Sequence, residues 1–338
     1  MKKDTSKTFL GHPKGLFYLF FAELWERFSF YGMRALLVLY MTKQLLFTDN
    51  MSFGVYAAYM SLVYFTPVIG GVLADRFLGY RRSIIMGGMF MAAGHFLLTI
   101  ETPLFFYISL AAIIVGNGFF KPNISSFVGT LYATEDVRRD AGYTIFYMGV
   151  NVGGAIAPLL CAWLAESYGW HYGFMLAGFG MLLGLWYFYD GLRSGIFGDG
   201  GGLPDREKFY KKRLGLHQGN IILLAAIITV PLFALIVRYN QYEHHIVWIS
   251  VLVITGYLIS IYRKVNPVYK KRLFAIVYYT ALMTLFWAIF EQAGSSLTLY
   301  ADRNVRLIGM NAAQTNSINS AFIIVLAIPF SMLWSFLK

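Results

Sequence analysis

Ten stretches of this chain stay mostly apolar for long enough to cross a lipid bilayer. They are 16–42, 53–74, 83–100, 103–122, 142–165, 172–190, 218–237, 246–262, 272–296 and 315–337. A hydrocarbon core of roughly 30 Å takes about 20 residues of helix, and within it only helices and closed barrels satisfy every backbone polar group. Barrel strands would alternate over about ten residues; runs such as Asn220–Val237 do not alternate. Glu23, Glu26 and Arg27 interrupt the first stretch where the apolar region of a signal peptide should run. The expectation is an all-α polytopic membrane protein.

Composition excludes the main alternatives. Charged residues make up 13% of the 338 and apolar ones 58%, against about 25% charged in a soluble domain. A soluble enzyme, a nucleic-acid binder, a disordered tail and a disulfide-stapled secreted domain are all disfavoured. The formal charge of +11 belongs with basic loops rather than with a nucleic-acid partner. Cys161 is the only cysteine, so neither an internal disulfide nor a thiolate metal cluster can form.

Twenty of the 28 basic residues fall on one side if the chain crosses at each stretch. They comprise four in the N-terminal tail, Arg76, Arg81 and Arg82, Arg138 and Arg139, six from Arg193 to Arg213, and five from Arg263 to Arg272. Lys43, Arg238, Arg303 and Arg306 fall on the other side. The positive-inside rule then puts the N-terminus in the cytoplasm. Between the sixth and seventh stretches, 191–216 carries Gly-Asp-Gly-Gly-Gly at 198–202 and then Lys211-Lys212-Arg213, the composition of a flexible linker. The organisation expected is a six-helix bundle over 1–190, a linker with two further spans over 191–271, and the start of a second bundle over 272–338. Six spans, a linker and a second half form the outline of a repeat-built transporter.

Six ionisable residues lie inside spans: Glu23, Glu26, Arg27, Arg34, Lys121 and Glu291. Each would cost about 2.5–3.5 kcal/mol if isolated at the bilayer centre, and three acids against three bases suggest mutual pairing around a wet cavity. Positions 23, 26, 27, 30, 31 and 34 share one helix face, which reads Glu, Glu, Arg, Phe, Tyr, Arg. The opposite face, of Leu, Phe and Ala, is left for lipid or neighbouring helices. Such a set is either a static network that locks helices together or a substrate path with a proton relay.

These residues also carry a resemblance. Glu23-Leu-Trp-Glu26-Arg27-Phe-Ser-Phe-Tyr31-Gly resembles the first-helix motif of proton-dependent oligopeptide transporters, the peptide-transporter branch of the major facilitator superfamily. Gly70-Gly-Val-Leu-Ala-Asp75-Arg-Phe-Leu-Gly79 is similar to that family's signature in the loop after span two. Phe119-Phe-Lys121-Pro-Asn-Ile-Ser-Ser, Phe146-Tyr-Met-Gly-Val-Asn151-Val-Gly-Gly and Phe286-Trp-Ala-Ile-Phe-Glu291-Gln match its fourth, fifth and seventh helices, in the family's order.

The resemblance implies the major facilitator fold. Stretches 218–237 and 246–262 would be the two extra helices of bacterial members, and the last two stretches core helices seven and eight, with four core helices beyond them. It implies proton-coupled symport of di- and tripeptides by alternating access, in the cytoplasmic (inner) membrane of a bacterium. Glu23, Glu26, Arg27, Lys121 and Glu291 would couple protons. Arg34 and Lys121 would hold the peptide's carboxylate, with Glu291 pairing Arg34 in an outer gate when the site is empty. Asn151 and Asn319 would meet the peptide backbone or amino end, and Tyr31, Tyr64, Tyr147 and Trp287 would line side-chain pockets. Asp75, Arg76 and Arg81 would form a loop that helps lock one closed state. Phe30 stands where the motif usually has a tyrosine, which removes one hydroxyl. The partners implied are the peptide, protons and the bilayer.

Other readings stay open beside this one. A symporter of the same fold could carry nitrate or an amino acid, and a peptide sensor could bind without transporting. For any one aromatic, packing is as good an account as substrate contact. No enzyme is expected, because no nucleophile–base pair or His/Asp ligand set appears on facing spans. No cofactor or metal is expected either, since the energy source would be the proton gradient and 198–202 is no phosphate loop. His95 reads as a hydrogen-bonded packing residue, and His244-His245 as an external turn.

Overall fold

The computed structural model describes residues 8–213 and 215–337. Among them ten helices run 19 residues or longer. They are α1 (Lys14–Lys43), α2 (Asp49–Leu73), α3 (Gly79–Leu97), α4 (Pro103–Thr130), α5 (Arg139–Tyr168) and α6 (Trp170–Arg193), then α8 (Gln218–Arg238), α9 (Glu243–Lys264), α10 (Pro267–Phe290) and α12 (Ser317–Phe336). Two short helices join them, α7 (Arg206–Tyr210) and α11 (Ser296–Asn304), with two-residue hairpins at 8–13 and 212–217. Eight stretches are long and apolar enough to cross a membrane, one of them the continuous run Asp49–Leu97. Helix α1, which carries the buried charges, is not in that set. The basic N-terminal tail lies mostly outside the described residues.

Local sequence sets several boundaries. Thr48 accepts the Met51 amide at 3.3 Å and caps α2, with Asp49 favourably placed in the first turn. Pro103 opens α4 at a position where its missing N–H costs nothing. The segment expected as a loop after α2 is instead a π-helical turn, Ala74–Leu78, that leads directly into α3. Gly79 makes this turn at φ +70°, and a Cβ there would meet the Gly202 carbonyl oxygen at 2.1 Å.

Glycine sets how closely the first six helices pack. A Cβ on Gly70 of α2 would lie 1.9 Å from the Gly118 carbonyl oxygen of α4. Gly87 of α3 and Gly116 of α4 exclude each other's Cβ in the same way, at 2.5 Å. Small residues thus bring backbones together where water gives no hydrophobic drive. Helix α1 is enclosed on nearly all sides, with Leu36 to Met41 buried without interruption. Its Leu/Phe/Ala face meets α5 and α6 along most of its length, with Phe21 left exposed.

The glycine-rich stretch after α6, expected to be flexible from its composition, is docked. Arg81 donates Nε to the Gly200 carbonyl at 2.6 Å and Nη2 to that of Gly198, while its own amide donates to Gly201 at 3.0 Å. Phe197 inserts its ring among Tyr18, Phe127 and Phe188, with centroids 4.9–6.3 Å away. The absence of side chains at 198 and 200–202 lets the backbone carbonyls reach Arg81. Helix α8 lies against α4 and α2, whereas α10 buries none of its residues.

Candidate functional site

A cavity of about 520 Å³ opens between α1, α2, α4, α5, α10 and α12, within the usual size range for small-molecule sites. Helix α1 supplies its charged wall, because residues 27, 30, 31 and 34 recur at helical spacing on the face turned to the cavity. Arg27 lies on that wall and grips Glu26 with Nε and Nη2. The same Nε lies 3.4 Å from Glu23 Oε1. Glu23 and Glu26 are fully buried behind the wall and do not line the cavity.

Lys121 of α4 connects the two compartments. Its Nζ donates to Glu23 Oε1 at 3.4 Å, and its side chain, 36% exposed, also lines the cavity. Glu23 Oε2 has no hydrogen-bond partner. A half-satisfied buried carboxylate beside two cations is an uncommon arrangement.

Further along α1, Arg34 reaches across the cavity. Its Nη2 donates to Glu291 Oε2 at 2.7 Å, and its Nε to the Tyr56 hydroxyl at 2.8 Å. The Tyr64 hydroxyl donates to Glu291 Oε1 at 3.0 Å. Glu291 sits where α10 ends in a short 3-10 turn, Glu291–Gly294, before α11 begins. Gly294 packs against the Arg34–Tyr56 contact so closely that a Cβ would lie 2.2 Å from the Tyr56 hydroxyl.

Tyr31, Tyr64, Tyr147 and Trp287 lie on the cavity wall, as do Asn151 and Asn319. The Tyr31 ring faces both arginines, with Arg27 and Arg34 at 5.8 and 6.0 Å from its centroid. Asn151 spends one of its two amide donors on the Tyr147 carbonyl at 3.0 Å, so its second N–H and its amide oxygen remain to meet a ligand. Phe30, at the position that lacks the hydroxyl, lies 5.0 Å beneath the Arg27 guanidinium. Asp75, Arg76 and Arg81 stand apart from the cavity, at the end of the bundle where α1 begins.

Sequence reasoning missed four polar wall or support residues. Asn117 and Asn316 line the cavity, as does Ser320, and Tyr56 backs Arg34. Asn117 carried a usable signal, being a lone amide in the apolar run Leu110–Phe120. His95, expected to be hydrogen-bonded, is instead fully buried with neither ring nitrogen partnered. Among the described residues no cluster of His, Cys, Asp and Glu could hold a metal ion.

The model of the POT family matches residues 81–335. The chain is 38% identical to a Bacillus subtilis (strain 168) protein named uncharacterized transporter YclF, over 99% of this chain and 70% of that one. It is 34% identical to a di-/tripeptide transporter of Lactococcus lactis subsp. lactis (strain IL1403), over 98% of this chain and 71% of that one. Its fold matches the crystal structure of peptide transporter POT in complex with sulfate with a TM-score of 0.84 and 35% identity, over 98% of this chain and 70% of that one.

Proposed function

This chain belongs to the POT family, a multi-pass membrane transporter and not an enzyme, and on that premise we propose that it imports di- and tripeptides together with protons by alternating access. The peptide reading draws on relatives named for peptide transport. The basic loops at the α1 N-terminal end favour a cytoplasmic N-terminus in the inner membrane of a bacterium. On this reading α1–α6 form one rocking unit, the stretch around α7–α9 is an insertion, and α10–α12 belong to the second unit.

The observation that carries the coupling is the position of Lys121 between Glu23 and the cavity. With Glu23 ionised, Lys121 is held back toward the carboxylate. A proton arriving on Glu23 weakens that attraction and frees the ammonium to meet the carboxylate of a peptide. Arg34 offers the second anchor, because a guanidinium suits the two-oxygen geometry of a carboxylate. A bound peptide then competes with Glu291 for Arg34 and loosens the contact between α1 and α10.

The test is uptake of labelled dialanine into liposomes under an imposed pH gradient, using the full-length protein. Glu23→Gln should abolish gradient-driven accumulation while dialanine exchange across the membrane continues. If Glu23→Gln accumulates dialanine as the unaltered protein does, this coupling scheme is wrong. A same-fold carrier of nitrate or an amino acid would show no dialanine uptake, and a sensor would bind dialanine without uptake.

A further inference from the structure

A second cavity, of about 580 Å³, lies on the outside of the bundle at the end where α1 finishes. Its walls come from the α1–α2 turn and the start of α2 (Phe47, Met51), the first turns of α4 (Leu104, Tyr107) and the last turn of α8 with the turn after it (Arg238, Tyr239). Nothing in the transport scheme uses it. The cleft is firmly built. Val237 of α8 is fully buried beside it, Asn240 packs on Gly54 so that a Cβ there would meet its side-chain oxygen at 2.2 Å, and Phe47 stacks on Tyr107 at 6.5 Å.

Arg238 is the charged group at this cleft, and among the described residues it has no carboxylate partner; only the Tyr239 ring lies under it, at 5.7 Å. The cleft also abuts the first turn of α4, whose N-cap Thr102 makes no side-chain cap bond. Its floor is aromatic and aliphatic. Helix α8 is 21 residues long, about 31 Å at 1.5 Å per residue, so Arg238 stands at the depth of lipid phosphates. A cation over an apolar, aromatic floor at that depth complements an anionic headgroup with chains leading into the bilayer.

We propose that this α2–α4–α8 cleft binds one anionic phospholipid of the leaflet at the α1 C-terminal end, with Arg238 holding its phosphate. The bound lipid joins the inserted helix α8 to the outer ends of α2 and α4. Helix α8 thus gains a task, as one wall of a lipid site on the first bundle.

The experiment uses full-length protein and native mass spectrometry after exposure to mixed micelles of phosphatidylglycerol or phosphatidylcholine with identical acyl chains. The protein should retain one phosphatidylglycerol in preference to phosphatidylcholine. Arg238→Gln should lower that retention about fivefold, the typical effect of one basic residue on anionic-lipid affinity. Arg238→Lys should keep most of it, and Arg263→Gln, at the other end of α9, should leave it unchanged. Equal retention of the two lipids would overturn the proposal, as would undiminished retention in a folded Arg238→Gln protein. It would also fail if free glycerol 3-phosphate displaced the lipid at equal concentration, marking a soluble phosphate site, or if a second copy of the chain occupied the cleft.

Discussion

Arg34 and Lys121 are the two cations with a side chain both on the cavity wall and opposite a carboxylate of another helix. If a peptide's carboxylate is what they hold, removing that charge removes a charge-assisted contact worth about 1.5–3 kcal/mol. Dialanine amide should therefore compete for uptake about tenfold or more weakly than dialanine. Equal inhibition constants would remove the carboxylate from the scheme. Tyr56 tests the support behind Arg34. Tyr56→Phe leaves Arg34 Nε without its partner while keeping the ring, and should weaken dialanine binding without altering the pH profile of uptake. The charged residues of this site were legible in the sequence because a charge inside an apolar span cannot be ignored. Tyr56 was not, since one tyrosine among 24 carries no mark until its hydroxyl is placed beside Arg34.

At the scale of elements, helix number and length were legible, and every long helix overlaps one apolar stretch. The contacts between elements were not. Sequence shows glycine but not which backbone approaches it, and it shows a polar glycine-rich linker but not that Arg81 gathers its carbonyls. Neighbouring glycines of α2 make the difference measurable. A Cβ at Gly70 would collide with the α4 backbone at 1.9 Å, whereas at Gly71 it would meet Pro122 at an ordinary 3.7 Å. Gly70→Ala should therefore destabilise by about 1–3 kcal/mol, the usual cost of overpacking. Gly71→Ala should be neutral or gain up to about 1 kcal/mol of helix propensity. Thermal midpoints of the two variants in detergent decide this, and equal midpoints would contradict the α2–α4 contact.

Across the whole molecule, every ion pair among the described residues that joins α10–α11 to the first six helices lies toward one end. Arg34 meets Glu291 at 2.7 Å, Lys43 meets Asp302 at 2.6 Å, and Arg303 meets Asp49 at 2.6 Å. Only the first is substantially shielded from water. The outer two are exposed pairs of the kind worth about 0–1 kcal/mol and weakened by salt. They nevertheless bear on whether this end responds to pH. The hydrogen bonds from Arg303 hold the Asp49 carboxyl below its ordinary value. A depressed acid contributes its stabilisation above the unfolded pKa and loses it only as pH falls through the lower folded value. That window lies below about pH 4, so between pH 7.5 and 5.5 the Asp49–Arg303 pair stays ionised and is no proton sensor. Asp49→Asn should then change the rate of dialanine uptake by no more than about fivefold, at every pH in that interval alike. The midpoint of the pH–rate curve should remain unchanged. A midpoint displaced by Asp49→Asn would move the sensing proton from the buried cluster to the outer rim.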